Sequence, residues 1–172
     1  MVTVGMGRAT FAPSALPCTL RAEELIEQPI EAAGRSLTFT GVSVGNPHCV
    51  LFRQAGASWS REDLLALGPA LEHHAIFPKR INVQLAVPTG TQELTILIWE
   101  RGAGETQASG SSSCAAASAA VRLGLVTSPV VVKMPGGTLT IDVAPDFNLT
   151  MKGPAAEVAR GSLSPSFVRS LK

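Results

Sequence analysis

The sequence predicts an α+β fold, in which a mixed or largely antiparallel sheet curls around one buried helix. Three observations carry this expectation. Two stretches alternate at the period of a strand: "RINVQLAV" sets Ile81, Val83, Leu85 and Val87 against Arg80, Asn82 and Gln84, and "ELTILIW" alternates with both faces apolar. The segment from Ser112 to Leu123 is small and apolar all round, as suits a helix buried on most sides. The elements then follow in the order strands, helix, strands, helix, strands.

Each element has its own signature. "TVGM" and "LPCTLRAEEL" open the chain, punctuated by glycine and proline. Leu37, Phe39 and "GVSV" read as a strand that runs into the turn "GNPH", and "CVLF" as a short strand after it. Ser60 to His74 reads as a helix: Ser60 with Asp63 resembles a capping box, and Leu64, Leu67 and Leu71 form a stripe at helical spacing. In the alternating strand that follows, Asn82 falls on the face expected to be wet, and "ELTILIW" is expected to be central. The second helix spans Ser112 to Leu123, with Ser111 or Ser112 as its N-cap and Gly124 just past its end. "PVVVKM", the turn "PGG", "TLTIDV", "NLTMKG" and "AEVARG" return the chain to strands.

Composition narrows the function. At 172 residues the chain is long enough for one domain with a real core. Fourteen basic and thirteen acidic side chains leave a net charge of +1, which offers no electrostatic footprint for nucleic acid or an anionic membrane. No apolar run approaches the ~20 residues of a membrane span. The amino terminus lacks the basic and apolar regions of a secretory signal, so a reducing cytoplasm is the expected location. Three widely spaced cysteines, Cys18, Cys49 and Cys114, give neither a disulfide framework nor a zinc-ligand spacing, and adjacent His73 and His74 diverge on a helix. No metal site is expected, and Cys114 is expected to be a core thiol.

The stretch "WERGAGETQASGSSSCAAASAA", Trp99 to Ala120, holds the chemistry. A helix entered through glycine and serine presents unpaired N–H groups and the positive end of its dipole, which suits a carboxylate or phosphate. The serine hydroxyls add donors. Glu100 and Arg101 leave a central strand just upstream, a carboxylate suited to an ammonium and a guanidinium suited to a second carboxylate. Together they describe a pocket for a small zwitterion. The same residues also make an ordinary cap and flexible loop, and both readings stand at this level.

"ERGAGETQASGSSSCAAA" resembles one carboxy-terminal signature of the diaminopimelate epimerase family, and "VSVGNPHCVLF" resembles the other. "LGPALEHHAIFP", "FPKRINVQLA" and "MPGGTLTIDV" occur in that family's order and approximate spacing, and "VTVGMGRATFAPSALP" resembles the crossover between its halves. The resemblance implies a cofactor-independent amino-acid epimerase fold: two similar domains, each a sheet around a central helix, with the substrate in the cleft between them. Two cysteines, one from each domain, would exchange a proton across the α-carbon, while helix amino ends stabilise the carbanion-like state. LL-diaminopimelate would become the meso form, a precursor for lysine and cell wall. The resemblance assigns residues 1–160 to a carboxy-terminal domain, with 1–20 as the crossover. Residues 161–172 would be a tail returning to an amino-terminal domain.

Carried over by position, Asn46, Asn82, Glu100, Arg101, Gly110 and Ser111 would bind substrate, with Gly110 and Ser111 in the carboxylate loop. His48 and Glu100 would tune the reacting groups. The pattern departs from the family at Ser109, which stands where the second catalytic cysteine is expected. A thiol with pKa near 8.5 lies within reach of helix-dipole tuning, whereas a serine hydroxyl needs a base beside it. A one-base lyase or isomerase therefore stays open, because in the related proline racemase group loss of the second cysteine accompanies dehydratase chemistry. So does a silent amino-acid-binding or assembly domain. A serine hydrolase is disfavoured: "GSSSC" does not complete G-x-S-x-G, and only His48 could act as base. The family's amino-terminal "CGNGxR"-like loop is not matched, so the isolated chain is expected not to racemise diaminopimelate. Pairing with that domain or a second copy, and a tail loosely held or exchanged, are expected with it.

Overall fold

The computed structural model describes residues 1–171. Among them ten strands join in a single sheet. In chain order the elements are β1 (Val2–Arg8), β2 (Gln28–Ala32), β3 (Arg35–Ser43), β4 (Pro47–Phe52), α1 (Arg61–Glu72), β5 (Asn82–Gly90) and β6 (Glu93–Glu100). There follow β7 (Gly104–Thr106), α2 (Gly110–Arg122), β8 (Val130–Met134), β9 (Gly137–Val143), β10 (Asn148–Gly153) and α3 (Pro165–Ser170). The strand order is β1-β10-β9-β8-β6-β5-β4-β3-β2, with β7 hairpinned onto β6. β4–β5 and β6–β8 run parallel and the other neighbours antiparallel, so the expected mixed sheet is present. The sheet does not close, but Thr10 and Ser43 exchange two backbone hydrogen bonds of 3.0 and 2.8 Å across its open seam.

The sheet is covered on both sides. Its concave face wraps α2, whose Cys114, Ala115, Ala116, Ala117, Ala119 and Ala120 pack with residues of β3 to β6 and β8 to β10. Small side chains let the backbone of α2 approach the strands, which is why an alanine run can serve as a core helix. The other face is covered by α1, whose Leu64, Leu67 and Leu71 meet Val83 and Leu85 of β5. The capping box forms as its spacing predicts: Ser60 Oγ accepts the Asp63 N–H at 3.0 Å and Asp63 Oδ2 accepts the Ser60 N–H at 3.0 Å.

Gly68 is where α1 touches β6. A Cβ there would lie 2.5 Å from Cδ2 of Trp99, whose ring fills the space above the helix. Gly68→Ala is therefore expected to lower stability by about 1–3 kcal/mol through overpacking, in spite of alanine's better helix propensity, and a urea midpoint measures it.

Several expectations need correction. Asn82 and Gln84 do not face water: they are 6% and 0% exposed, because α2 covers the face that alternation marked as wet. The second helix starts at Gly110 with Ser109 as its cap, two residues earlier than expected, because Ser109 takes the extended conformation (φ −154°, ψ 127°) that a cap requires. "AEVARG" is not a strand: among the described residues nothing pairs beyond β10, and residues 154–164 are irregular and exposed. The tail holds the short helix α3, with Leu163, Phe167 and Leu171 exposed. β2 and β7 were not anticipated. Among the described residues no helix is long and apolar enough to cross a membrane.

Sheet register decides what meets at one end. β4 pairs with β5 so that His48 lies opposite Asn82, and β5 pairs with β6 so that Val83 lies opposite Trp99. The beginnings of β4 and β5 and the end of β6 are thus brought together, and the entrance of α2 is tied to them through Gln84.

Candidate active site at the entrance of α2

Ser109 caps α2. Its Oγ accepts the Ser112 N–H at 3.4 Å, and its carbonyl accepts both the Ser113 N–H at 3.1 Å and the Ser113 hydroxyl at 2.8 Å. Two of the four first-turn donors are therefore satisfied within the helix. Those of Gly110 and Ser111 are left without an acceptor among the described residues, so only these two remain open to an anion. The loop is pinned from outside: the Gly136 N–H donates to Gln107 O at 2.7 Å, and a Cβ on Gly136 would sit 2.9 Å from that oxygen. Only glycine permits this approach of the β8–β9 turn. Ser109, Gly110 and Ser111 remain half-buried at the rim.

Behind this entrance lies a buried polar row, of which the sequence reading named His48 but not Gln84 or Ser112 as site residues. Gln84 of β5 bonds Ser112 Oγ at 3.0 Å, and both residues are wholly buried. His48 of β4, also wholly buried, has Nε2 3.0 Å from Oδ1 of Asn46. Desolvation is the largest influence on His48 and lowers its pKa to about 3; Gln84 opposes the shift and the Arg101 charge adds to it. His48 is therefore neutral at physiological pH. Its Nδ1 and the Oε1 of Gln84 are both buried without a partner.

The turn after β6 is held by two buried side chains. Asn82 donates from Nδ2 to Pro47 O at 2.8 Å and accepts the Arg101 N–H on Oδ1 at 2.9 Å, strapping β4, β5 and β6 together. Glu72, at the end of α1, accepts Trp99 Nε1–H at 2.8 Å and the Gly102 N–H at 2.9 Å. Burial opposes its ionisation, but these hydrogen bonds, with His73 and Arg80 nearby, hold its carboxyl below the ordinary range. The side chains of Glu100 and Arg101 diverge here. Glu100 accepts the Thr106 hydroxyl at 3.3 Å, and the exposed guanidinium of Arg101 donates to Lys79 O at 3.2 Å.

Hydrogen bonds thus join Asn46 to His48, Asn82 to the backbone of Arg101, and Gln84 to the start of α2. Gln84, Ser112 and Glu72 were missed, although the period-2 pattern does place Gln84 on the same side of β5 as Asn82. Burial pushes the Cys114 thiol up to about 12 and Cys49 higher still, so neither offers a thiolate near neutral pH. Among the described residues no three His, Cys, Asp or Glu side chains come together as metal ligands. A cleft of about 420 Å³ lined by Thr38, Thr40, Arg53, Leu123 and Leu125 lies by the far end of α2 and includes none of these candidate residues.

The family model of diaminopimelate epimerase matches residues 40–158, which include every element of this site. The chain belongs to the diaminopimelate epimerase family. It is 41% identical over 165 residues to the diaminopimelate epimerase of a Synechococcus species, covering 94% of this chain and 58% of that protein. Against the diaminopimelate epimerase of Desulfitobacterium hafniense it is 38% identical over 162 residues, covering 94% and 56%. The chain thus spans a little over half the length of the family members it matches. A solved structure of a predicted epimerase from Pseudomonas aeruginosa shares the fold: TM-score 0.51 at 20% identity, over 87% of this chain and 53% of that one.

Proposed function

We propose that this chain supplies the carboxylate-binding wall of a diaminopimelate epimerase-type site, whose opposite wall comes from a second domain or a second chain. The substrate class is a small amino acid zwitterion. Gly110 and Ser111 would hold its α-carboxylate with backbone N–H groups and the α2 dipole, and Ser109 would stand beside the α-carbon. Asn46 and the Glu100–Arg101 turn would meet the distal end. Asn82 contributes by holding that turn. The reading requires no cofactor, because helix donors would stabilise the developing negative charge.

The observation that carries this proposal is the state of Ser109. Its hydroxyl accepts the Ser112 N–H, and the other hydroxyl nearest it is Ser111 Oγ at 3.5 Å. His48 is buried, neutral and bonded to Asn46, and no hydrogen bond joins it to Ser109, so it does not activate the serine. A binding wall fits these facts better than a base. The isolated chain is therefore expected to bind meso-diaminopimelate in a calorimetric titration, without exchanging its α-hydrogens when incubated in deuterium oxide. Absence of binding would defeat the carboxylate-wall reading, and α-deuterium incorporation would defeat the inactive one.

A further inference from the structure

Met151 of β10 reaches the entrance of α2 from the sheet. A Cβ built on Gly110 would lie 2.9 Å from its Sδ and 3.3 Å from its Cε, so the thioether fills the place beside Gly110 that a side chain would otherwise take. Gly110 also carries one of the two backbone N–H groups left open at this end of α2. Met151 is half-buried, and in the sheet it stands opposite Val4 of β1, which is 41% exposed. The residue is thus open to solvent in part, while its sulfur touches the first turn of the helix.

A second methionine at the same turn is in a different state. Met134 of β8 is only 8% exposed, and its Sδ accepts the Ser113 hydroxyl at 3.2 Å. A thioether is oxidised through a lone pair on sulfur, so burial and this hydrogen bond both protect Met134. The sulfur of Met151 has no hydrogen-bond donor among the described residues.

We infer that Met151 is an oxidation site that controls access to the α2 entrance, with a peroxide as the oxidant. A lone pair on Sδ attacks one oxygen of hydrogen peroxide and the O–O bond breaks. The leaving hydroxide takes the proton from the newly bound oxygen, which gives water and a sulfoxide. Sulfur loses two electrons and the peroxide gains them. A thioether sulfur is a weak acceptor, whereas the sulfoxide oxygen is a polar one held against Gly110. The rotatable bonds of methionine let that oxygen turn to the Gly110 N–H, and it then takes the place proposed above for a carboxylate oxygen. The loss of ligand rests on that binding wall, but the oxidation and its effect on Gly110 do not.

Dilute hydrogen peroxide, followed by peptide mass mapping and nitrogen-15 amide NMR of the full chain, tests this without any ligand. Met151 is expected to gain one oxygen before Met134 does, and the Gly110 amide proton to move downfield as it acquires an acceptor. Met151→Leu keeps a side chain of similar volume and leaves Met1, Met6 and Met134 to react, so peroxide should not move its Gly110 amide. Oxidation of Met134 first, an unmoved Gly110 amide in the oxidised chain, or an equal movement in Met151→Leu would each overturn the inference. The oxidised chain should bind meso-diaminopimelate about tenfold more weakly than the reduced one, the effect of losing one charged hydrogen bond. Equal affinities would overturn the control of access. If the reduced chain binds no diaminopimelate, the binding wall fails, and the mass map and the Gly110 amide still decide whether Met151 is the oxidation site.

Discussion

Glu72→Ala is expected to lower the unfolding free energy by about 2–4 kcal/mol, the range for breaking a buried charged hydrogen-bond set with one partner removed. The carboxylate sits at the negative end of α1, where the dipole disfavours it, and only 5% of its side chain is exposed. Its two hydrogen bonds offset that cost. Without it, the Trp99 indole and the Gly102 amide lose their acceptors together. Glu72→Gln keeps the shape and one acceptor, so a smaller loss is expected from it. Urea unfolding measures both. A loss under 1 kcal/mol for the alanine variant would show that the turn after β6 is held chiefly by Asn82.

Stability should also fall on mild acidification, because His48 is held neutral. The folded pKa lies below the ordinary value of 6.5, at about 3, so the unfolded chain binds the proton more readily. The contribution is therefore complete above pH 6.5 and is lost as the pH falls toward 3. The slope is at most ~1.4 kcal/mol per pH unit, giving about 2 kcal/mol between pH 6.5 and 4.5. Glu72 and Asp63, both held below their ordinary values, add their losses at lower pH and leave this window to His48. Unfolding His48→Gln across the same range should give a much flatter profile. An equal slope in the two proteins would exclude His48 as its source.

Much of the architecture was legible because local and global signals agree. Ser60 and Asp63 announce α1, and its leucines point where the sheet lies. The alanines of α2 can only be buried. What failed was information that local pattern does not hold. Ser109, Ser111, Ser112 and Ser113 can each cap a helix, and local pattern does not choose Ser109 among them. Alternation separates the two faces of β5, but it cannot say that the polar face meets another helix instead of water. β2 is a short edge strand containing Pro29, which masks its pattern. At the site, the resemblance directed attention to Asn46, His48 and Asn82. The buried side chains that brace the same end of the sheet, Gln84 at the α2 entrance and Glu72 under the turn after β6, come from elements whose adjacency only the fold supplies.

The pairing of β1 with β10 brings Val2 opposite Gly153. This contact closes a loop of nearly the whole domain, whereas the strands from β3 to β6 close over much shorter stretches. Loop-closure entropy favours short contacts first, so the site-bearing middle of the sheet is expected to assemble before its margins. The margins then depend on one another. Removing the first eight residues uncovers the outer edge of β10, and removing the residues after β9 leaves β1 without its partner. Shortening at either end would therefore slow or weaken the same late step, and the two effects should not add.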